Sequence, residues 1–121
     1  MNVTAWLLVA AMGAVGSLLR FRLDGLVQTR ANGGFPLGTL AVNLVGSFCL
    51  GLLTGLSVTG NELLVLGTGL LGSFTTFSTW MLETERLAEE GESRLAFANL
   101  ALPLVAGLAA ALAGWLVGGA L

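Results

Sequence analysis

Residues 67–80 read Gly67-Thr68-Gly69-Leu70-Leu71-Gly72-Ser73-Phe74-Thr75-Thr76-Phe77-Ser78-Thr79-Trp80, a run without a single charge. Three glycines precede five hydroxyl residues. Each interior glycine costs a helix about 1 kcal/mol relative to alanine, and Ser and Thr hydroxyls can bond carbonyls that a bend sets free. The composition predicts a helix interrupted around Gly72 to Thr76, with a packed Ser/Thr-rich helix as the alternative. Non-helical backbone at membrane depth is tolerated only where it is buried or lines a cavity. A break here would therefore point carbonyls at a cation or at another subunit.

The rest of the chain supports a membrane setting. Of 121 residues, 55% are hydrophobic, 18 more are glycine, and only 12 are charged: five Arg, no Lys and seven acids. Mean hydropathy is +0.90. A soluble domain carries roughly a quarter charged residues, so this chain cannot cover a water-facing surface. A net charge of −2 with no basic patch excludes a nucleic-acid partner. With no His and one Cys, a His/Cys metal site, a Cys-His nucleophile and an internal disulfide are excluded. An all-α integral membrane protein in contact with the lipid bilayer remains, with residues 1–121 forming one domain.

The charges partition that domain. Residues 2–19, 31–61, 63–82 and 95–121 carry none. About 20 apolar residues cross a ~30 Å hydrocarbon layer as helix, so four spans are expected, near 2–19, 35–58, 63–82 and 95–117. Span one lacks a basic leader and runs on to a second span, so it is read as a retained helix. Asn32-Gly33-Gly34 signals a turn, Pro36 suits the first turn of span two, and Ser57 to Asn61 reads as a tight turn. Gly13 and Ser17, Gly51 and Gly55, and Gly114 and Gly118 form small-xxx-small pairs that let backbones approach. Four short helices enclose little interior, so a permeation path is expected between subunits.

Polar groups inside the spans mark helix contacts or a pathway. Thr39, Asn43, Gly46 and Ser47 share one helical face of span two. Asn43 must face another helix or water, because an unpaired amide in lipid costs several kcal/mol, roughly; interhelical glue and pathway both remain open. No acid lies inside a span, Glu83 sitting at the boundary of span three. Neutral donors together with aromatic edges, which carry positive quadrupole potential, suit a small anion.

Three segments then converge on one family. Gly13-Ala14-Val15-Gly16-Ser17-Leu18-Leu19-Arg20-Phe21, Pro36-Leu37-Gly38-Thr39-Leu40-Ala41-Val42-Asn43 with Gly46-Ser47-Phe48, and Gly72-Ser73-Phe74-Thr75-Thr76-Phe77-Ser78-Thr79 occur in that order. Together they resemble the Fluc/CrcB fluoride channels over nearly the whole chain. The resemblance implies an antiparallel dual-topology dimer of four-helix chains, with the third helix interrupted. It implies passive fluoride export across the cytoplasmic (inner) membrane, giving fluoride resistance. It also implies a structural Na+ at the dimer centre, held by the backbone carbonyls of Gly72 and Thr75. Asn43 would donate to fluoride, and Phe77 and Trp80 would form an aromatic box. Ser78 and Thr79 would form a hydroxyl track, and Arg20 would give a vestibule positive potential.

Three positions depart from the family pattern. Trp80 stands where the second box residue is usually Phe, while Asn99 and Pro103 stand where span four usually carries Tyr and Ser. Pro103 is expected to kink span four. All five Arg fall in loops one and three, on one face, which predicts both termini outside. A homodimer of opposed subunits would carry little bias, so the partner is a second copy of this chain or a paralogous subunit, the homodimer being preferred. The alternative function is a small proton-coupled multidrug exporter, against which the missing acid in span one argues; a helper subunit needs no polar lining.

Overall fold

The computed structural model describes residues 2–31 and 33–121. The Asn2 side chain accepts from the Ala5 N–H at 2.9 Å and caps α1 (Val3–Arg30). This helix runs on through Arg20, Arg22 and Asp24 to Arg30, eleven residues beyond the span end expected at Leu19. Hydropathy delimits the apolar layer, whereas a helix ends only where backbone bonding fails, and even the Asp24-Gly25 turn signal is carried inside α1. The Arg20 to Arg30 charges are thus helical rather than part of a loop. Of the expected turn at Asn32-Gly33-Gly34, Asn32 lies outside the described residues.

Helix α2 (Leu37–Gly55) begins after buried Pro36, which lies just before the helix rather than in its first turn. The Gly38 N–H, an orphan of that first turn, donates to Gln28 Oε1 at 3.1 Å, which ties the end of α1 to the start of α2. Left-handed Ser57 (φ 61°) and Gly60 (φ 63°) turn the chain after α2. The third apolar stretch is α3 (Gly60–Leu63), a wide π-type turn segment (Leu64–Leu71), α4 (Gly72–Phe74) and α5 (Ser78–Glu89). Between α4 and α5, Thr75 is extended (φ −83°, ψ 161°). Gly91 (φ 78°) turns the chain into α6 (Ser93–Ala120), which continues through Pro103 without interruption.

Four stretches are long and apolar enough to cross a bilayer: Val3–Arg30, Leu37–Gly55, Gly60–Glu89 and Ser93–Ala120. The protein is an all-helical, multi-pass membrane protein. Its buried core is small, built on Val42, Leu71, Phe74, Leu87 and Ala96. Large side chains such as Trp6, Leu7, Phe21, Val105, Leu108 and Trp115 face outward. That distribution suits a hydrocarbon solvent, in which packing rather than water exclusion joins helices.

Glycine makes the joins. A Cβ on Gly51 or Gly55 would strike the backbone of α6 at Ala111 and Trp115, and one on Gly114 or Gly118 would strike α2 at Phe48 and Leu52. The contact is reciprocal, backbone against backbone. On α1 the close approach is at Gly16, against the Leu70 carbonyl and the Ser73 hydroxyl. Gly13 faces open space instead, and Ser17 is exposed with its hydroxyl donating to the Gly13 carbonyl at 3.0 Å. The Gly13/Ser17 pair therefore brings no second helix close among the described residues; spacing identifies a small-residue face but not whether that face is turned inward.

These contacts rank glycines by tolerance. Gly51→Val overpacks a backbone contact and is expected to destabilise by about 1–3 kcal/mol or more. Gly13→Ala adds a methyl to open space and gains helix propensity, so it is expected to be neutral or stabilising by up to about 1 kcal/mol. Thermal unfolding of the two variants in detergent checks the ranking; equal destabilisation would refute it.

Candidate functional site

The site is organised by the backbone of Thr76. Asn43, on α2, donates from Nδ2 to the Thr76 carbonyl at 2.8 Å and accepts the Thr76 N–H at Oδ1, also at 2.8 Å. A side-chain amide thereby pairs both polar groups of one peptide residue that has left the helix. Gly46, one turn further along α2, leaves room for the Thr75 side chain and Phe74 to seat against it.

This pairing has consequences on both sides of Thr76. In a continuous α-helix the Thr76 N–H would bond the Gly72 carbonyl; here it is taken by Asn43. The Thr79 N–H would likewise bond the Thr75 carbonyl, but it donates to Thr76 Oγ1 at 3.2 Å. That hydroxyl caps the start of α5, and Thr76 Oγ1 also donates to Thr79 Oγ1 at 3.0 Å. Gly72 and Thr75 carbonyls are thus both released from helical bonding. The Thr75 carbonyl accepts a long bond, 3.4 Å, from Arg20 Nη1. The neighbouring hydroxyls secure the approach: Ser73 Oγ donates to the Gly69 and Leu70 carbonyls, and Thr75 Oγ1 to the Leu71 carbonyl.

Two cavities meet at Thr76. The larger, about 410 Å³, is lined by Asn43, Ser47, Thr75, Thr76, Phe77 and Trp80, with Gly72, Pro103 and leucines of three helices completing the wall. The smaller, about 330 Å³, is lined by Ser17, Arg20, Asp24, Thr39, Thr76 and Thr79. The residues singled out in the sequence therefore fall into two groups. Asn43, Phe77 and Trp80 share the first cavity; Arg20 and Thr79 share the second. Ser78 is exposed at the start of α5, 3.5 Å from the Thr76 hydroxyl. Phe77 is 67% exposed, and it meets Trp80 edge to face, with ring centroids 5.5 Å apart and planes at 88°. The Trp80 indole N–H donates to the Asn99 carbonyl on α6.

Residues 7–115 match the family described as CrcB-like protein, Camphor Resistance (CrcB). The chain belongs to the CrcB family. It is 53% identical over 113 residues to the fluoride-specific ion channel FluC 2 of Mycolicibacterium paratuberculosis, covering 93% of each chain. It is 47% identical over 114 residues to the FluC 2 protein of Mycobacterium bovis, covering 94% of this chain and 90% of the relative. It is also 52% identical over 107 residues to the archaeal FluC 2 protein of Haloarcula marismortui, covering 88% and 84%.

Two features of this CrcB-family chain escaped the sequence reading. Thr76 contributes through its backbone and its cap, and nothing in a residue's type announces that its peptide group will be bonded by a distant amide. Glu83, taken as a boundary residue, lies on α5 with Oε1 buried and without a hydrogen-bond partner among the described residues. Thr39, Asp24 and Arg86 are its near polar and charged neighbours.

The Asn43 clamp yields a direct expectation. Asn43→Ala leaves both Thr76 backbone groups unpaired, at about 1–3 kcal/mol for each. Amide exchange at Thr76 should then accelerate by about tenfold or more, since ~1.4 kcal/mol is a decade. Asn43→Asp retains an acceptor for the N–H and should show a smaller acceleration. Exchange unchanged in Asn43→Ala would mean that Thr76 is held by something other than this amide.

Proposed function

We propose that this chain is a fluoride-specific ion channel of the cytoplasmic membrane, not an enzyme, and that it exports fluoride passively and confers fluoride resistance. The observation that carries the reading is the Asn43–Thr76 clamp. It sets an uncharged donor beside Phe77 and Trp80 in one cavity, within a chain whose relatives are named fluoride channels. Fluoride is small and holds its water tightly, so a path must offer replacement donors. One Nδ2 hydrogen of Asn43 remains after the bond to Thr76, and ring edges add positive potential without a charge that would trap the ion. Hydroxyls of Ser78 and Thr79 extend the donor series, and Arg20 in the second cavity attracts anions to a vestibule. A proton-coupled exporter is not favoured.

The working unit in this reading is an antiparallel, dual-topology dimer. Phe77 and Ser78 are exposed in the single chain, which is what a pathway completed by a second copy requires. The arginine bias of the sequence argued against opposed homodimers. That bias is smaller than it looked, because Arg20 bonds the Thr75 carbonyl and belongs to the fold rather than to a loop. The break at Thr75 in the third span serves as the centre of the dimer.

Na+ fits that centre. A hard cation takes oxygen ligands, and unwound backbone carbonyls are a recurring Na+ cage in membrane proteins. The Gly72 and Thr75 carbonyls are among those released from helical bonding at the break, and a second copy doubles the set. The ion would supply positive charge that holds two breaks together. Arg20, as a rival donor to the Thr75 carbonyl, must yield or share when the ion is bound.

The test is fluoride efflux from liposomes carrying this chain alone. Wild-type protein should release fluoride without chloride, and Asn43→Leu should reduce the flux by about tenfold or more, equivalent to ~1.4 kcal/mol of lost ion stabilisation. Absence of fluoride efflux from wild-type liposomes would reject the reading. Unchanged flux in Asn43→Leu would reduce Asn43 to a structural tie. For the cation, rigorous removal of Na+ should weaken activity or dimer stability; full activity and an intact dimer in K+ or Li+ media would count against it.

A further inference from the structure

Proline at position 103 has no N–H, so the carbonyl four residues earlier on α6, that of Asn99, has no helical donor. The proline ring also crowds that carbonyl. In a bilayer no water is at hand to cover it. The Trp80 indole N–H of α5 donates to this same carbonyl. The contact is closed from the other side as well. Asn99 Nδ2 donates to Thr84 Oγ1 at 2.8 Å and, more distantly, to the Trp80 carbonyl at 3.4 Å, while Thr84 Oγ1 donates to the Trp80 carbonyl at 2.9 Å. Asn99 is only 2% exposed. Trp80 and Pro103 both line the larger cavity, so the hydrogen bonds of Asn99 and Thr84 hold one of its lining residues from behind.

The geometry points to Trp80 as a positioning residue whose indole N–H closes the Asn99 carbonyl that Pro103 leaves open. The indole thereby ties α5 to α6 and fixes its ring edge to face with Phe77. An indole has one donor hydrogen. Spent on Asn99, it is not offered to an anion in the cavity. What Trp80 presents there is ring, and its polar atom is structural. The three residues act as one unit: the proline creates the vacancy, the asparagine carries it, and the tryptophan fills it. The tie itself does not depend on what the protein conducts; only the fluoride titration rests on the fluoride-channel reading.

Two measurements on the full-length protein test the inference. The first is the indole Nε1–H resonance of Trp80 in wild-type protein, with the exposed Trp6 and Trp115 as internal references. It should be protected from hydrogen exchange and should not shift when fluoride is added. A Trp80 indole proton that exchanges as fast as the references, or that moves on fluoride titration, overturns the assignment. The second is a thermal-stability cycle across Trp80→Phe and Pro103→Ala. Trp80→Phe should lower the melting temperature when Pro103 is present. The drop should shrink about twofold or more in Pro103→Ala, where residue 103 supplies its own N–H, because residues sharing a bond are not additive. Equal drops in both backgrounds overturn the coupling. Wild-type liposomes that pass no fluoride would instead reject the functional reading and leave the exchange and stability results to judge the tie.

Discussion

A peptide group that leaves a helix inside hydrocarbon must find another partner, since lipid offers none. In this protein that requirement falls on Thr76, and Asn43 meets it for the N–H and the C=O together. Much of the site follows from this pair. Because the Thr76 N–H is taken, the Gly72 carbonyl is free. Because Thr76 is held out of helical register, its hydroxyl caps the next helix and removes the Thr79 N–H from the Thr75 carbonyl. Because the clamp stands between two hollows, Thr76 lines both. A single half-buried amide thus converts a run of glycine and hydroxyl residues into a defined arrangement of released carbonyls and exposed aromatic ring between two cavities.

The clamp can act only because α2 is itself held. Gly51 and Gly55 lock it against Gly114 and Gly118 of α6, backbone to backbone. Gly38, with its N–H on Gln28, locks its other end against α1. Gly16 brings α1 onto Leu70 and Ser73, just ahead of Thr75. In a solvent as apolar as leucine, these close approaches replace the hydrophobic core that a chain this short could not build. They also leave broad outward faces free for lipid and, in the dimeric reading, for a second copy.

The four membrane-crossing stretches were legible because hydropathy reports burial in lipid directly. Helix ends were less so: α1 continues past Leu19 through four charged residues, because charge limits the apolar layer and not the hydrogen-bond ladder. Asn43 was recognisable as a residue needing a partner, but its partner is a backbone group more than thirty residues away, which no side-chain pattern encodes. Small-residue spacing found the α2–α6 contact but did not single out Gly16 as the close approach on α1, since spacing does not say which way a helix is rotated. Pro103 and Asn99 stand four apart in the sequence, so the missing helical donor could be counted there. That the Trp80 indole supplies a replacement could not, because it depends on the relative placement of α5 and α6.

With an uncharged amide, hydroxyls and aromatic rings along the proposed pathway, fluoride is expected to pass as a free ion, selectively and without coupling to protons. The reversal potential of purified protein in a planar bilayer, with a fluoride gradient set against an opposite chloride gradient, separates the possibilities. The current should reverse near the potential set by the fluoride gradient and should not follow an imposed pH gradient. A reversal potential that tracks chloride or pH, or no current from well-folded protein, would contradict it.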